Sequence, residues 1–186
     1  MDLADVEPLF VILSDPAAWL HDPPSRHADL DATRRYIERA AAKWRKDRLS
    51  YWTARRRDTG EVVGHGGAQR HRTGSWNLSY RTVRAHQGHG YATELAWAAR
   101  SAALSVDADV PLIARIDEHN APSRRVAEHV GLRNYGLRLD EGDGQLRLAY
   151  ADRALDDDLM ARRSVGSLAG VGDRHLRLES RFASKT

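Results

Sequence analysis

The stretch Arg84–Trp97, "RAHQGHGYATELAW", decides the fold. Two glycines one residue apart, Gly88 and Gly90, stand where an extended segment gives way to a run of helical period. The first turn of a helix leaves backbone N–H groups unpaired, and the helix dipole makes that end electropositive, so a phosphate group is held there. Glycines remove the side chains that would block its approach. Gln87-Gly88-His89-Gly90-Tyr91-Ala92-Thr93 therefore predicts a pyrophosphate-binding turn between a strand and a helix.

Other readings of this turn compete. A dinucleotide-binding fingerprint requires a small third residue where Thr93 stands, and an acidic residue closing the next strand, which is absent at the usual distance. A Walker loop requires Gly-Lys-Ser/Thr, which does not follow. A plain chain reversal at the two glycines is the bland alternative.

Working outward, the residues before the turn read as extended. "SYWTARRRDTGEVVGHGGAQRH" is a strand, an Asp-Thr-Gly turn and a second strand, and "GSWNLSYRTV" is a third, which together predict an antiparallel meander. Upstream, "DVEPLFVILSDPAAWL" carries Val6, Leu9, Phe10 and Leu13 at helical spacing before a Ser-Asp-Pro break. "LDATRRYIERAAAKWRKDR" carries Tyr36, Ile37, Ala40, Ala41 and Trp44 on one stripe, with Asp31 as the expected cap.

Downstream of the turn, Ala92, Leu95, Ala96, Ala99, Ala102, Ala103 and Val106 trace a narrow stripe of small residues on a helix. "VPLIARI" is a short apolar strand suited to cover on both faces. "APSRRVAEHVG" is a helix with Pro122 in its first turn and Gly131 as its stop. "NYGLRLDEGDGQLRLAYADR" predicts a closing hairpin turned at Glu-Gly-Asp-Gly. Residues 1–155 form the expected domain, and 156–186 break the pattern and read as a tail or an extra element.

Composition narrows the function. The chain has 186 residues, no cysteine and a formal net charge of +3. Disulfides, thiolate metal sites and a cysteine nucleophile are excluded. The longest apolar run, Pro8–Leu13, is far short of the roughly 20 residues a membrane helix needs, and no signal-like segment opens the chain, so a cytoplasmic location without membrane contact is expected. Basic residues crowd Arg34–Arg57, which reads as a solvated helix face or as a surface for nucleic acid or the ribosome.

The second segment that bears on function is "ARIDEHNAPSRRVAEHVGL", one strand beyond the turn. Together with "LSDPAAWL", "RRDTGEVVGHGG" and "QGHGYATELAWAA", it resembles the GNAT superfamily of acyl-CoA-dependent N-acetyltransferases. Within that superfamily it is most similar to the branch of RimJ- and RimL-type ribosomal-protein N-terminal acetyltransferases. The resemblance spans about Asp2 to Arg153. It implies an α/β (α+β) fold with a mixed, mostly antiparallel central sheet flanked by helices. It also implies acetyl-CoA as co-substrate, no metal, and a primary amine as acceptor, either a protein N-terminus or a small molecule such as an aminoglycoside. A homodimer is common in the family.

The resemblance also assigns residues. Thr82 and Val83 match the strand end whose backbone pairs with the pantetheine arm. Gln87, Gly88, His89, Gly90, Tyr91, Ala92 and Thr93 match the pyrophosphate turn. Asn120 matches the pantetheine-side asparagine, and Ser123 the small or hydroxyl position three residues later. Many members carry a tyrosine seven residues after that asparagine, where this chain has Ala127, so Ser123 is the candidate general acid and Tyr135 a further one. Glu118 and His119 are candidate bases beside water-mediated deprotonation. Trp19, Trp44 and Trp52 are expected in the core or lining the acceptor pocket, and the nine histidines are expected at the surface or as caps.

Three departures stand out. Arg84 replaces a common proline, His89 replaces a common basic residue, and "MDLADVEPLF" supplies no strand ahead of the first helix. A module that holds acyl-CoA without turnover is the alternative that the absent tyrosine and the absent first strand leave open.

Overall fold

The computed structural model describes residues 1–20, 23–140 and 144–155. The expected tail at 156–186 and residues Glu141, Gly142 and Asp143 of the predicted hairpin turn lie outside the described residues. The chain opens with a 3-10 turn, Leu3–Asp5, capped by the Asp2 side chain. Helix α1 follows at Val6–Leu13, and among the described residues no strand precedes it.

The Ser-Asp-Pro break is a second cap, in which the Asp15 side chain accepts from Ala17 N to start a 3-10 turn at Pro16–Trp19. Helix α2 spans Leu30–Asp47, and its cap is Asp29, whose side chain accepts from Ala32 N. Asp31 lies inside the first turn, where its carboxylate meets the helix dipole and Arg34 at 2.7 Å. The buried face of α2 is Thr33, Ile37 and Ala40, while Trp44 is exposed and donates its indole N–H to Tyr51 O at 2.9 Å.

The predicted meander is present. Strands β1 (Tyr51–Arg55), β2 (Val62–Arg70) and β3 (Trp76–Thr82) pair antiparallel in sequence order. Helix α3, Tyr91–Val106, leads to β4, Leu112–Ile116, then helix α4, Ala121–His129, and the antiparallel pair β5 (Arg133–Leu139) and β6 (Leu146–Ala151). The sheet runs β1-β2-β3-β4-β6-β5, and only β3 and β4 are parallel.

Helices cover both faces, as strand alternation shows on β2. Gly66 faces Leu95 of α3, and its neighbour His65 faces Tyr36 of α2. The larger core joins Trp76, Leu112, Ala114, Leu148 and Tyr150 to Ala96, Ala99 and Ala103 of α3 and to Ala127 and Val130 in and just after α4. The alanine stripe lets α3 approach the sheet closely. A smaller core gathers Val6, Leu9, Ile12 and Leu13 of α1 with Ile37 of α2. Ile12 takes the buried place expected of Phe10, which stays half-buried.

Candidate functional site

The glycine turn has the predicted context. Gly88 and Gly90 adopt left-handed backbone, with φ of 82° and 84°, and a Cβ at either would meet nothing within 4 Å. Side-chain-bearing residues are strained there. Gly90 caps α3 without any side-chain hydrogen bond, so the first-turn amides of Tyr91, Ala92 and Thr93 keep no helical partner.

The turn is braced from its flank. His86 Nε2 meets Glu61 Oε1 at 2.9 Å, and the rings of His89 and Tyr91 stack at 6.0 Å. His89 and Gln87 contact each other locally, with the ring Nδ1 3.1 Å from Gln87 O, and both side chains are exposed. Beside the first turn of α3 a cavity of about 430 Å³ is lined by Arg55, Arg56, Arg57, Tyr91, Glu94 and Leu95, a cationic rim that the sequence reading did not place.

The sheet parts between β3 and β4. β3 and β4 pair only at Trp76–Leu112 and Asn77–Ile113. Trp76 N donates to Pro111 O on the β4 side, whereas Val83 N donates to Val63 O on the β2 side. Alternation along β3 then turns the backbone groups of Leu78, Tyr80 and Thr82 toward β4, beyond the last paired rung. Thr82 thus offers an edge to an added strand. The Val83 amide instead donates to Val63 O of β2.

Asn120 caps α4: its Oδ1 accepts from Ser123 N at 3.1 Å, leaving the carboxamide N–H donors for other use. Ser123 is half-buried on that first turn, and its carbonyl oxygen receives the Tyr80 hydroxyl from β3 at 2.8 Å. Tyr80 was not anticipated. Ala127 is fully buried in the core. Glu118 and His119 are exposed, as solvated strand-end residues are, and Tyr135 is half-buried on the outer strand β5.

The opposite face of the sheet, under α1 and α2, is polar. His65 is 3% exposed, which corrects the expectation that the histidines lie at the surface: alternation along β2 turns this ring to the face that α2 covers. Its Nδ1 lies 3.3 Å from the Tyr36 hydroxyl, and its Nε2 has no partner. Burial first, and the Arg81 charge second, hold the ring's pKa down to about 3, so it is neutral at pH 7. Tyr36 stacks on Tyr51, whose hydroxyl accepts from Asn77 Nδ2 at 3.3 Å. Arg81 lies 3.6 Å over the Trp19 ring, so Trp19 packs on the sheet from the segment between the helices. Trp44 and Trp52 contact each other at the β1 edge, with ring centroids 6.1 Å apart.

Among the described residues no group of three or more His, Asp or Glu side chains is placed to hold a metal, and no helix is long and apolar enough to cross a membrane. The family model for the acetyltransferase (GNAT) domain matches residues 1–133. No curated protein matches the sequence.

Solved structures share the fold. An acetyltransferase of the GNAT family from Bacillus anthracis superposes with a TM-score of 0.65 at 20% identity, over 81% of this chain and 90% of that one. The ribosomal-protein-alanine N-acetyltransferase from Brucella melitensis gives 0.59 at 22% identity, over 83% and 97%. The yncA protein from Salmonella typhimurium, solved with its cofactor acetyl-CoA, gives 0.64 at 18% identity, over 84% and 93%. With the family model covering most of its length, the chain belongs to the GNAT acetyltransferase family, enzymes that use acetyl-CoA as acyl donor.

Proposed function

We propose that the chain acetylates a primary amine, and that the amine is a protein N-terminus, in the manner of the RimJ- and RimL-type branch. The observation that carries the acceptor class is the charge on the polar face. The cations acting on this face are Arg81, which acts on both His65 and Tyr36, and Arg39, which acts on Tyr36. An amine must lose its proton before it attacks a thioester. An α-amine, with a pKa near 8, does so far more readily than a side-chain or polyamine nitrogen near 10. A cationic floor repels the polyamine and tolerates the N-terminus.

Four parts of the chain divide the work. The turn Gln87–Thr93 holds the pyrophosphate on the amides of Tyr91, Ala92 and Thr93. The Thr82 edge pairs with the pantetheine arm, and Asn120 donates to it from the start of α4. The Ser123 hydroxyl, on the same first turn, borders the thioester. The exposed basic residues Arg35, Arg39, Arg45 and Lys46 on α2 give a positive outer face suited to a ribosomal surface, with affinity that falls steeply as salt rises.

Calorimetric titration with acetyl-CoA tests the donor site, run on the parent and on a Gly88→Asp, Gly90→Asp variant that sets two carboxylates against the phosphates. Binding by the parent and none by the folded variant is expected. Thiol release is then followed with Ala- and Ser-starting peptides, an aminoglycoside and spermidine. Preference for spermidine would overturn the acceptor assignment, and binding without thiol release would mark a module that only holds acyl-CoA.

A further inference from the structure

Expulsion of a thiolate requires a proton, and α4 presents only the Ala127 methyl group where many relatives carry a tyrosine. We infer that Tyr80, delivered from β3 rather than from α4, is the general acid that protonates the departing CoA sulfur; the inference rests on the function proposed above.

Three observations converge on this residue. Tyr80 lies on the part of β3 beyond its last paired rung with β4, so it borders the opening between the two strands. Its ring packs against the core that contains Ala127, on the face shared by α3 and α4. Its hydroxyl then spans the opening and donates to Ser123 O at 2.8 Å, in the first turn of the helix that Asn120 caps. A phenolic O–H therefore stands at the start of α4, reached from the other arm of the sheet.

The groups around that hydroxyl are consistent with proton donation. Tyr150 of β6 is its titratable neighbour, and the Tyr150 hydroxyl receives Arg124 Nε at 3.3 Å and donates to Glu128 at 3.0 Å. Burial is the main influence on Tyr80 and pushes its pKa upward, so the phenol keeps its proton at neutral pH. The same desolvation disfavours a thiolate brought into this opening, which favours proton transfer to the sulfur.

The step balances. The amine nitrogen bonds to the acetyl carbon, the carbon–sulfur bond breaks, and its electron pair passes to sulfur. The Tyr80 hydroxyl gives its proton to that sulfur, and the proton shed by nitrogen returns to the phenolate through water. The products are the acetamide and free CoA thiol.

The geometry separates Tyr80 from Ser123 experimentally. Tyr80 is held by the main-chain oxygen of Ser123, so Ser123→Ala leaves Tyr80 in place. Tyr80→Phe and Ser123→Ala are compared with the parent for acetyl-CoA affinity by calorimetry, and for kcat across pH by thiol release with the peptide and amine panel and with water alone. Tyr80→Phe is expected to lower kcat about 100-fold or more and to leave acetyl-CoA affinity within about 3-fold. Ser123→Ala is expected to lower kcat by clearly less than Tyr80→Phe does.

A Tyr80→Phe enzyme with near-parent kcat, or with its loss confined to acetyl-CoA binding, overturns the assignment and leaves the proposed function standing. A Ser123→Ala loss that matches or exceeds the Tyr80→Phe loss also overturns it, and returns the role to Ser123. A parent that releases no thiol overturns the proposed function and this inference with it.

Discussion

Arg115 on β4 and Asn77 on β3 clasp the two arms of the sheet at the point where they part. The guanidinium Nη1 donates to the Asn77 carboxamide oxygen at 3.2 Å, and Asn77 is one of the two β3 residues still in register with β4. The same carboxamide donates to the Tyr51 hydroxyl on β1 at 3.3 Å. One side chain thus links three strands beneath α2 and fixes where the opening begins.

Asn77→Ala removes both bonds. The expected cost is about 1–3 kcal/mol, because the partners are left in a partly buried polar layer. For a chain of this size each kcal/mol lowers Tm by about 2–4 °C, measurable by thermal denaturation. The opening would lose its fixed apex, so acetyl-CoA affinity is expected to fall as well. A change in Tm without any change in affinity would show that the clasp serves stability alone.

Gly66 is a close-approach position. A Cβ there would overlap the Ser79 carbonyl oxygen on β3, stand 2.8 Å from Tyr80 Cα and press on Leu95 Cδ2 at 3.0 Å. Backbone cannot yield as a flexible side chain can. Gly66→Ala is expected to destabilise the protein by about 3 kcal/mol, read as a shift in urea midpoint at unchanged slope. Gly60→Ala, whose Cβ meets nothing within 4 Å but whose φ is 74°, is the strain-only control and should cost about 1 kcal/mol.

Asp5 is buried where the first helix begins. Burial raises its carboxyl pKa, but the Asp2 amide at 2.8 Å, the Thr53 hydroxyl at 2.8 Å and Arg55 at 2.5 Å outweigh that and hold it below the usual range. A carboxyl with a depressed folded pKa stabilises the fold above its unfolded pKa and loses that contribution as pH falls through the folded value. Asp5→Asn is expected to cost about 2 kcal/mol at pH 7 and progressively less as pH falls below the unfolded pKa, by urea denaturation at pH 7 and in steps below pH 4.

Much of this architecture is legible in the residues themselves, and the exceptions share a cause. Gly88 and Gly90 announce a turn into α3 because left-handed backbone before a helix needs a specific residue type. Ala99 and Ala103 announce a close-packed helix because small residues repeat at its period. Asp29 and Asp31 are the same residue two places apart, so spacing alone does not say which one caps. Tyr80 and His65 are harder still. Alternation marks them as strand residues but not by face, and their partners lie 43 and 29 residues away on helices. Only the register of the sheet shows that one reaches α4 and the other α2.

His65 makes the fold sensitive to acid. Its ring is neutral and buried, with a pKa pushed down to about 3 by burial and by Arg81, against about 6.5 in the unfolded chain. Below pH 6.5 the unfolded state takes up a proton that the folded state refuses, so stability falls as pH drops and the fall ends near pH 3. The slope is about 1.4 kcal/mol per pH unit, and the full span amounts to roughly 5 kcal/mol. His65→Gln keeps a hydrogen-bonding side chain that does not titrate, and is expected to flatten the stability curve between pH 6 and pH 4 while leaving the Asp5 contribution below pH 4. Urea denaturation at half-unit steps reads both. A parent curve already flat over that interval would mean that the ring accepts its proton inside the fold, through movement of α2 away from the sheet, and hydrogen exchange at Tyr36 and Ile37 would then rise at pH 5.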